Sequence, residues 1–166
     1  MTGYAGGSHY SHRGGAVNML CLPRDPIYNL TQPGVQVGQG RAYVYGVEYE
    51  FFSSNSIGTI YTDLGNTEMP CAVCRAPRST VLMVPARNIC PKRWTQEYKG
   101  YLIAGHYAHA SATRYECMDE NPEALKGTGN VDNNGNLFYF VEGRCGSLRC
   151  PDYIEGNELT CVVCTR

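Results

Sequence analysis

Gly3-Tyr4-Ala5-Gly6-Gly7-Ser8-His9-Tyr10-Ser11-His12 and Gly100-Tyr101-Leu102-Ile103-Ala104-Gly105-His106-Tyr107-Ala108-His109 begin alike and end alike. Cys21 and then Pro26 follow the first stretch, and Cys117 and then Pro122 follow the second. Later, Gly65-Asn66-Thr67-Glu68-Met69-Pro70-Cys71-Ala72-Val73-Cys74 answers to Gly156-Asn157-Glu158-Leu159-Thr160-Cys161-Val162-Val163-Cys164. Landmarks repeated in one order mean two copies of one structural unit, covering about 1–78 and 79–166 of a single domain. A pseudo-twofold relation between the copies would present any binding site twice. Duplicated sites suit a binder better than a catalyst.

Strand signals fill the space around these landmarks. The segment Ala42–Phe52 is rich in aromatic and β-branched residues, as is its counterpart Asn136–Glu142. Ser79–Pro85, Trp94–Tyr98 and Cys161–Cys164 have the same character. Turn formers lie between them at Gly34, Gly38-Gln39-Gly40, Asn130 and Asn133-Asn134-Gly135, the last a hairpin signal. A short helix is predicted near Pro122–Lys126, stopped by Gly127, and an exposed irregular loop over 53–68. The expected fold is all-β: a disulfide-rich, internally duplicated sandwich or barrel-like domain with pseudo-twofold symmetry.

A net charge of -1 offers no electrostatic footprint for nucleic acid or an anionic membrane. No apolar run approaches the ~20 residues of a membrane-spanning helix. The N-terminus has neither the basic start nor the apolar core of a signal peptide.

Nine cysteines admit two chemistries, an oxidised extracellular scaffold or a thiolate metal site built from Cys71/Cys74 and Cys161/Cys164. The strand-forming Ala-Val and Val-Val between those pairs favour the scaffold, and Asn29-Leu30-Thr31 is a glycosylation sequon that agrees with it. The repeat suggests a pairing. Cys90 and Cys117 flank one segment and would bridge, and Cys145–Cys150 would staple a local loop. Cys71–Cys164 and Cys74–Cys161 would join two neighbouring antiparallel strands, because residues i and i+3 of a strand point to opposite faces. No cysteine of the first copy answers to Cys90, so Cys21 is expected free or bridged to another chain. The first copy also lacks the strands that precede the second motif. Such an exposed sheet edge calls for another subunit, and a homo-oligomer is expected.

All four histidines lie in the two His-Tyr-x-His segments. Sugars are held by planar hydrogen-bonding side chains with an aromatic ring beneath. His9, Tyr10, His12 and Arg13 could form one such site, and His106, Tyr107, His109 and Arg114 the other. Each histidine could instead simply hold a turn; two matched pairs containing every histidine tip the balance to binding. Histidines at i and i+3 coordinate one ion only from a turn, and no carboxylate stands beside either pair, so no metal is expected. Glu48 and Glu142 hold equivalent, exposed strand positions and could accept sugar hydroxyls, although a solvated face explains them equally. Neither copy shows the facing carboxylates of a glycosidase, nor a nucleophile motif, so no enzyme and no cofactor are expected.

Tyr4–Tyr10, Cys21-Leu22-Pro23 with Asp25-Pro26, and Pro70–Cys74 resemble a known module, as do Cys90-Pro91 with Trp94, Glu142–Gly146 and Leu159–Cys164. It is the cysteine-rich non-collagenous domain of sponge and cnidarian short-chain collagens, found also as stand-alone sponge lectins. The resemblance covers essentially the whole chain. It implies a secreted or matrix-associated, multimeric protein that binds glycans or glycoproteins, with terminal galactose the expected sugar and N-acetylated hexosamines next. The alternative it implies is a structural or oligomerisation module of extracellular matrix. The absence of a Gly-x-y repeat favours the lectin form.

Overall fold

The computed structural model describes residues 1–32, 34–35, 40–52, 57, 61–128 and 131–166. Its strands are β1 (Thr2–Gly7), β2 (Leu20–Pro23), β3 (Tyr45–Tyr49), β4 (Thr67–Glu68) and β5 (Pro70–Ala72), then β6 (Val81–Pro85), β7 (Thr95–Ala104), β8 (Glu116–Asp119), β9 (Asn136–Phe140) and β10 (Thr160–Thr165). The fold is all-β, and a single 3-10 turn at Thr62–Leu64 is the one helical element among the described residues. No described helix is long and apolar enough to cross a membrane.

β1 and β7 organise the sheet. On one edge, β1 pairs Gly3 with Pro23, Tyr4 with Leu22 and Ala5 with Cys21. β7 pairs Gly100 with Asp119, Tyr101 with Met118 and Leu102 with Cys117 in the same order. On the other edge Gly3 faces Cys71 and Gly100 faces Cys161, and further along Gly7 faces Tyr45 and Ala104 faces Tyr139. Connections outside the ladders keep the offsets. Ala5 N–H donates to Met69 O at 3.1 Å and Leu102 N–H to Leu159 O at 2.9 Å; Met69 N–H and Leu159 N–H reach Val47 O and Val141 O, both at 2.8 Å.

The two ladders meet where β3 and β9 run parallel, Val47 beside Asn136 and Tyr49 beside Phe138. That junction corrects the expected sandwich or barrel. The strands form one open sheet in the order β2-β1-β3-β9-β7-β10-β6, with β4, β5 and β8 attached at its sides. Ala5, Val47, Tyr49 and Phe51 from the first half bury together with Ile103, Met118 and Phe138 from the second. Each of the larger of these side chains contributes about 1.5–3 kcal/mol, and the shared cluster makes the halves interdependent.

The bridges are Cys21–Cys71, Cys90–Cys164, Cys117–Cys161 and Cys145–Cys150. The expected pairs Cys71–Cys164 and Cys74–Cys161 do not occur, because β5 and β10 lie on different ladders and are not neighbours, and Cys90–Cys117 does not, because β10 carries the partners of both, Cys164 and Cys161. Cys21 and Cys71 flank β1 instead and bridge over it, with Cα atoms 5.6 Å apart. Cys117 and Cys161 do the same over β7, at 5.7 Å. The strand residue opposite Cys71 is Gly3 and the one opposite Cys161 is Gly100. A Cβ at either would run into a backbone carbonyl, of Leu22 or of Met118, so the flanking strands close in only over glycine.

Cys21 is therefore neither free nor available to another chain. The free thiol is Cys74, which is exposed. It answers to Cys164, which pairs with Leu82 of β6 and is bridged to Cys90; β5 has no strand like β6 on its outer edge among the described residues. A chain carrying four bridges belongs to an oxidising environment.

Local expectations were corrected by tertiary bonds. Pro122–Lys126 is not a helix, because Leu125 N–H donates to Glu68 O at 3.0 Å and Tyr49 Oη to Glu123 O at 3.1 Å, which ties the segment's backbone to β4 and β3. Asn134 adopts a φ of 51°, but the turn at Asn133-Asn134-Gly135 leads into β9, which pairs among the described residues with β3 and β7 and not with a hairpin strand before the turn. The last part of the 53–68 loop folds into the 3-10 turn and β4. Gly38-Gln39, Asn130 and 53–56 with 58–60 lie outside the described residues.

Candidate functional site

β1 and β7 each end in Gly or Ala and run straight into a tight turn. His12 N–H donates to His9 O and His109 N–H to His106 O, both at 3.0 Å. Each turn folds its two imidazoles to one side. Ring centroids of His9 and His12 are 4.8 Å apart, and those of His106 and His109 are 5.1 Å apart.

A tyrosine lies edge-on to each pair. Tyr45 meets His9 at 4.9 Å and His12 at 5.6 Å; Tyr139 meets His106 at 5.1 Å and His109 at 5.7 Å. The reason is the ladder register, which sets Tyr45 opposite Gly7 and Tyr139 opposite Ala104, just before the turns. Edge-to-face contact of this kind is the favoured geometry for such rings.

The first histidine of each pair holds its turn. His9 Nδ1 accepts from Ser11 N–H at 3.3 Å and lies 2.9 Å from Ser11 Oγ, and His106 Nδ1 accepts from Ala108 N–H at 3.2 Å. A neutral ring whose Nδ1 accepts carries its proton on Nε2, so both rings keep an N–H donor at the opposite corner. Burial, then the neighbouring His12, holds His9 below the usual imidazole range. Burial and then His106 do the same for His109. Both rings are therefore biased to the neutral form, which suits donors and acceptors for uncharged hydroxyls.

The two turns touch. Tyr10 stacks on His9 at 4.8 Å, and its ring lies 4.8 Å from that of His109. Its backbone is held from both sides: Tyr10 N–H donates to Gly135 O and Ser111 N–H donates to Tyr10 O, both at 3.0 Å. Asn136 Nδ2 donates to Ser8 O, so the start of β9 clasps the first turn. Asn136 Oδ1 is the one buried side-chain oxygen without a hydrogen-bond partner among the described residues.

The remaining candidates divide. Tyr107 is 95% exposed, whereas its counterpart Tyr10 is half-buried. Arg13 and Arg114 are exposed beside their turns, and the Arg114 N–H bonds to Val17 O at 2.9 Å. Glu48 is corrected: it is 2% exposed, covered by the loop from Asp132, and accepts from Asn134 N–H at 3.3 Å. Burial raises its carboxyl above the usual range. Glu142 is exposed and lies 3.6 Å from Arg144. Neither glutamate joins the ring contacts of the histidines. Asn29 is exposed between β2 and β3.

Tyr45, Tyr139, Asn136 and Glu50 were missed. The first two carried a signal, since Tyr45-Gly46-Val47-Glu48 and Tyr139-Phe140-Val141-Glu142 share three residues of four. Glu50 is buried, and its carboxyl is pushed up to about 7 by burial, Asp132 and Glu48. Tyr139 is raised to about 12 by burial, then Glu50 and Tyr10. Two shallow clefts, one around Tyr61 and Glu120 and one around Tyr153 and Asn157, are lined by no histidine. No group of three or more metal-ligating side chains is present among the described residues. No family model, curated protein or solved structure matches this chain.

Proposed function

We propose that the chain is an extracellular carbohydrate-binding protein that recognises terminal galactose-type glycans through its two His-Tyr-x-His turns. The supporting observation is that all four histidines meet tyrosine rings on one surface, two of them with an Nε2–H donor left over. Rings for stacking and in-plane donors for hydroxyls are what a sugar face requires. Shallow sites of this type bind weakly one at a time and gain strength when several act together. The bridged scaffold suits secretion into an oxidising space. The partners are then glycans or glycoproteins, with N-acetylated hexosamines the next choice of sugar.

A glycan array tests this. Binding to galactose-terminated glycans that collapses in His9→Ala/His106→Ala supports it, and a flat response to every glycan ends it.

A second reading, a structural or oligomerisation module of extracellular matrix, is favoured by the exposed free thiol of Cys74 beside the β5 edge, which no strand covers among the described residues. It predicts a covalent dimer that disappears in Cys74→Ser and no response on the array.

A further inference from the structure

We infer that the two turns form one composite site for a single extended oligosaccharide, and not two equivalent sites for separate terminal sugars. The inference rests on the carbohydrate reading above and changes its stoichiometry and ligand class.

Two independent sites need two independent surfaces, and Tyr10 denies them that. One ring packs on His9 of its own turn and on His109 of the other, at 4.8 Å in each case. A sugar lying against the first turn therefore meets a residue that also walls the second. The turns are also joined through their backbones, at Ser111 N–H to Tyr10 O and at Arg114 N–H to Val17 O. These two bonds and the Tyr10–His109 contact tie the first turn to the second.

The contacts run in series. Tyr43 reaches His12 at 6.4 Å, His12 reaches His9, His9 reaches Tyr10, Tyr10 reaches His109, and His109 reaches His106. Tyr107 closes the row against His106 at 4.3 Å. Two imidazole pairs set between phenol rings, each ring in contact with the next, match a chain of pyranoses, each offering an apolar face and a rim of hydroxyls. A lone monosaccharide would use only a short part of the row.

The ends of the row differ. At the second turn Tyr107 is 95% exposed and free to stack on a sugar, while the corresponding ring of the first turn, Tyr10, is spent in the junction. The site thus has a direction, as a linear saccharide has, with Tyr107 at one end and His12 with Tyr43 at the other.

Isothermal titration of the intact chain tests this with galactose and N-acetylglucosamine, each as the monosaccharide and as a linear tetramer. The expected result is one tetramer per chain, bound at least about tenfold more tightly than its monosaccharide, because the added rings make contacts without a second loss of translational freedom. His12→Gln at the half-buried end of the row and Tyr107→Leu at its exposed end both lie away from the Tyr10–His109 contact, and each should weaken the tetramer. Two tetramers per chain, or tetramer and monosaccharide of equal affinity, would overturn the composite site and leave the lectin reading standing. No binding of any of these probes, together with a flat array, removes both.

Discussion

The ring of Tyr10 lies 4.8 Å from that of His109, and this is where the two repeated turns become one surface. Tyr10→Ala should loosen both turns at once. We expect a loss of about 1–2 kcal/mol in denaturant unfolding, from the two ring contacts together. His109, held down first by burial, should move back toward the ordinary imidazole range. An NMR titration of the imidazole resonances reads this directly.

Cys74 should be the only thiol that titrates in denaturant without reductant. Cys74→Ser should leave thermal stability unchanged. Replacing Cys21 and Cys71 together should cost about 4 kcal/mol in the chain-entropy treatment, given their separation of 50 residues. A free thiol at Cys21 in peptide mapping would refute the pairing.

Stability should respond to pH in two opposed ways. His9 and His109 are held below the usual 6.5, so the fold binds fewer protons than the unfolded chain, and acidification through that range destabilises it. Glu50 is raised from 4.5 to about 7, so its contribution is fully present below 4.5 and is lost as pH rises through about 7. Glu50→Gln should therefore gain on the parent chain by about 1–2 kcal/mol between pH 5 and pH 8. Parallel unfolding curves at both pH values would contradict this.

Asn136 is a positioning residue whose Nδ2 ties Ser8 O to β9. Asn136→Ala should cost about 1–2 kcal/mol, because the Ser8 carbonyl loses a buried partner. It should also weaken glycan binding several-fold through the turn that Ser8 begins. Full affinity at reduced stability would mean that Asn136 supports the sheet alone.

Strand content and the histidine turns were legible because both leave local marks: β-branched and aromatic runs, and a spacing that occurs twice. The disulfides were not, because spacing along the chain says nothing of which strands flank β1 or β7. Only the sheet order brings Cys21 to Cys71. Glu48 alternates as an outward residue should, yet the loop from Asp132 folds over it, a long-range event invisible to periodicity. The segment at Pro122–Lys126 has helix-forming residues, but β3 and β4 claim its backbone groups first. Tyr45 and Tyr139 were within reach, since the repeated Tyr-x-Val-Glu marks them as a matched pair.

The most direct test of a glycan site at these turns is the imidazole NMR spectrum during titration with the tightest-binding array glycan. The account predicts that His9, His12, His106 and His109 shift together and saturate at one common dissociation constant. Saturable glycan binding that leaves all four imidazoles unmoved would contradict it.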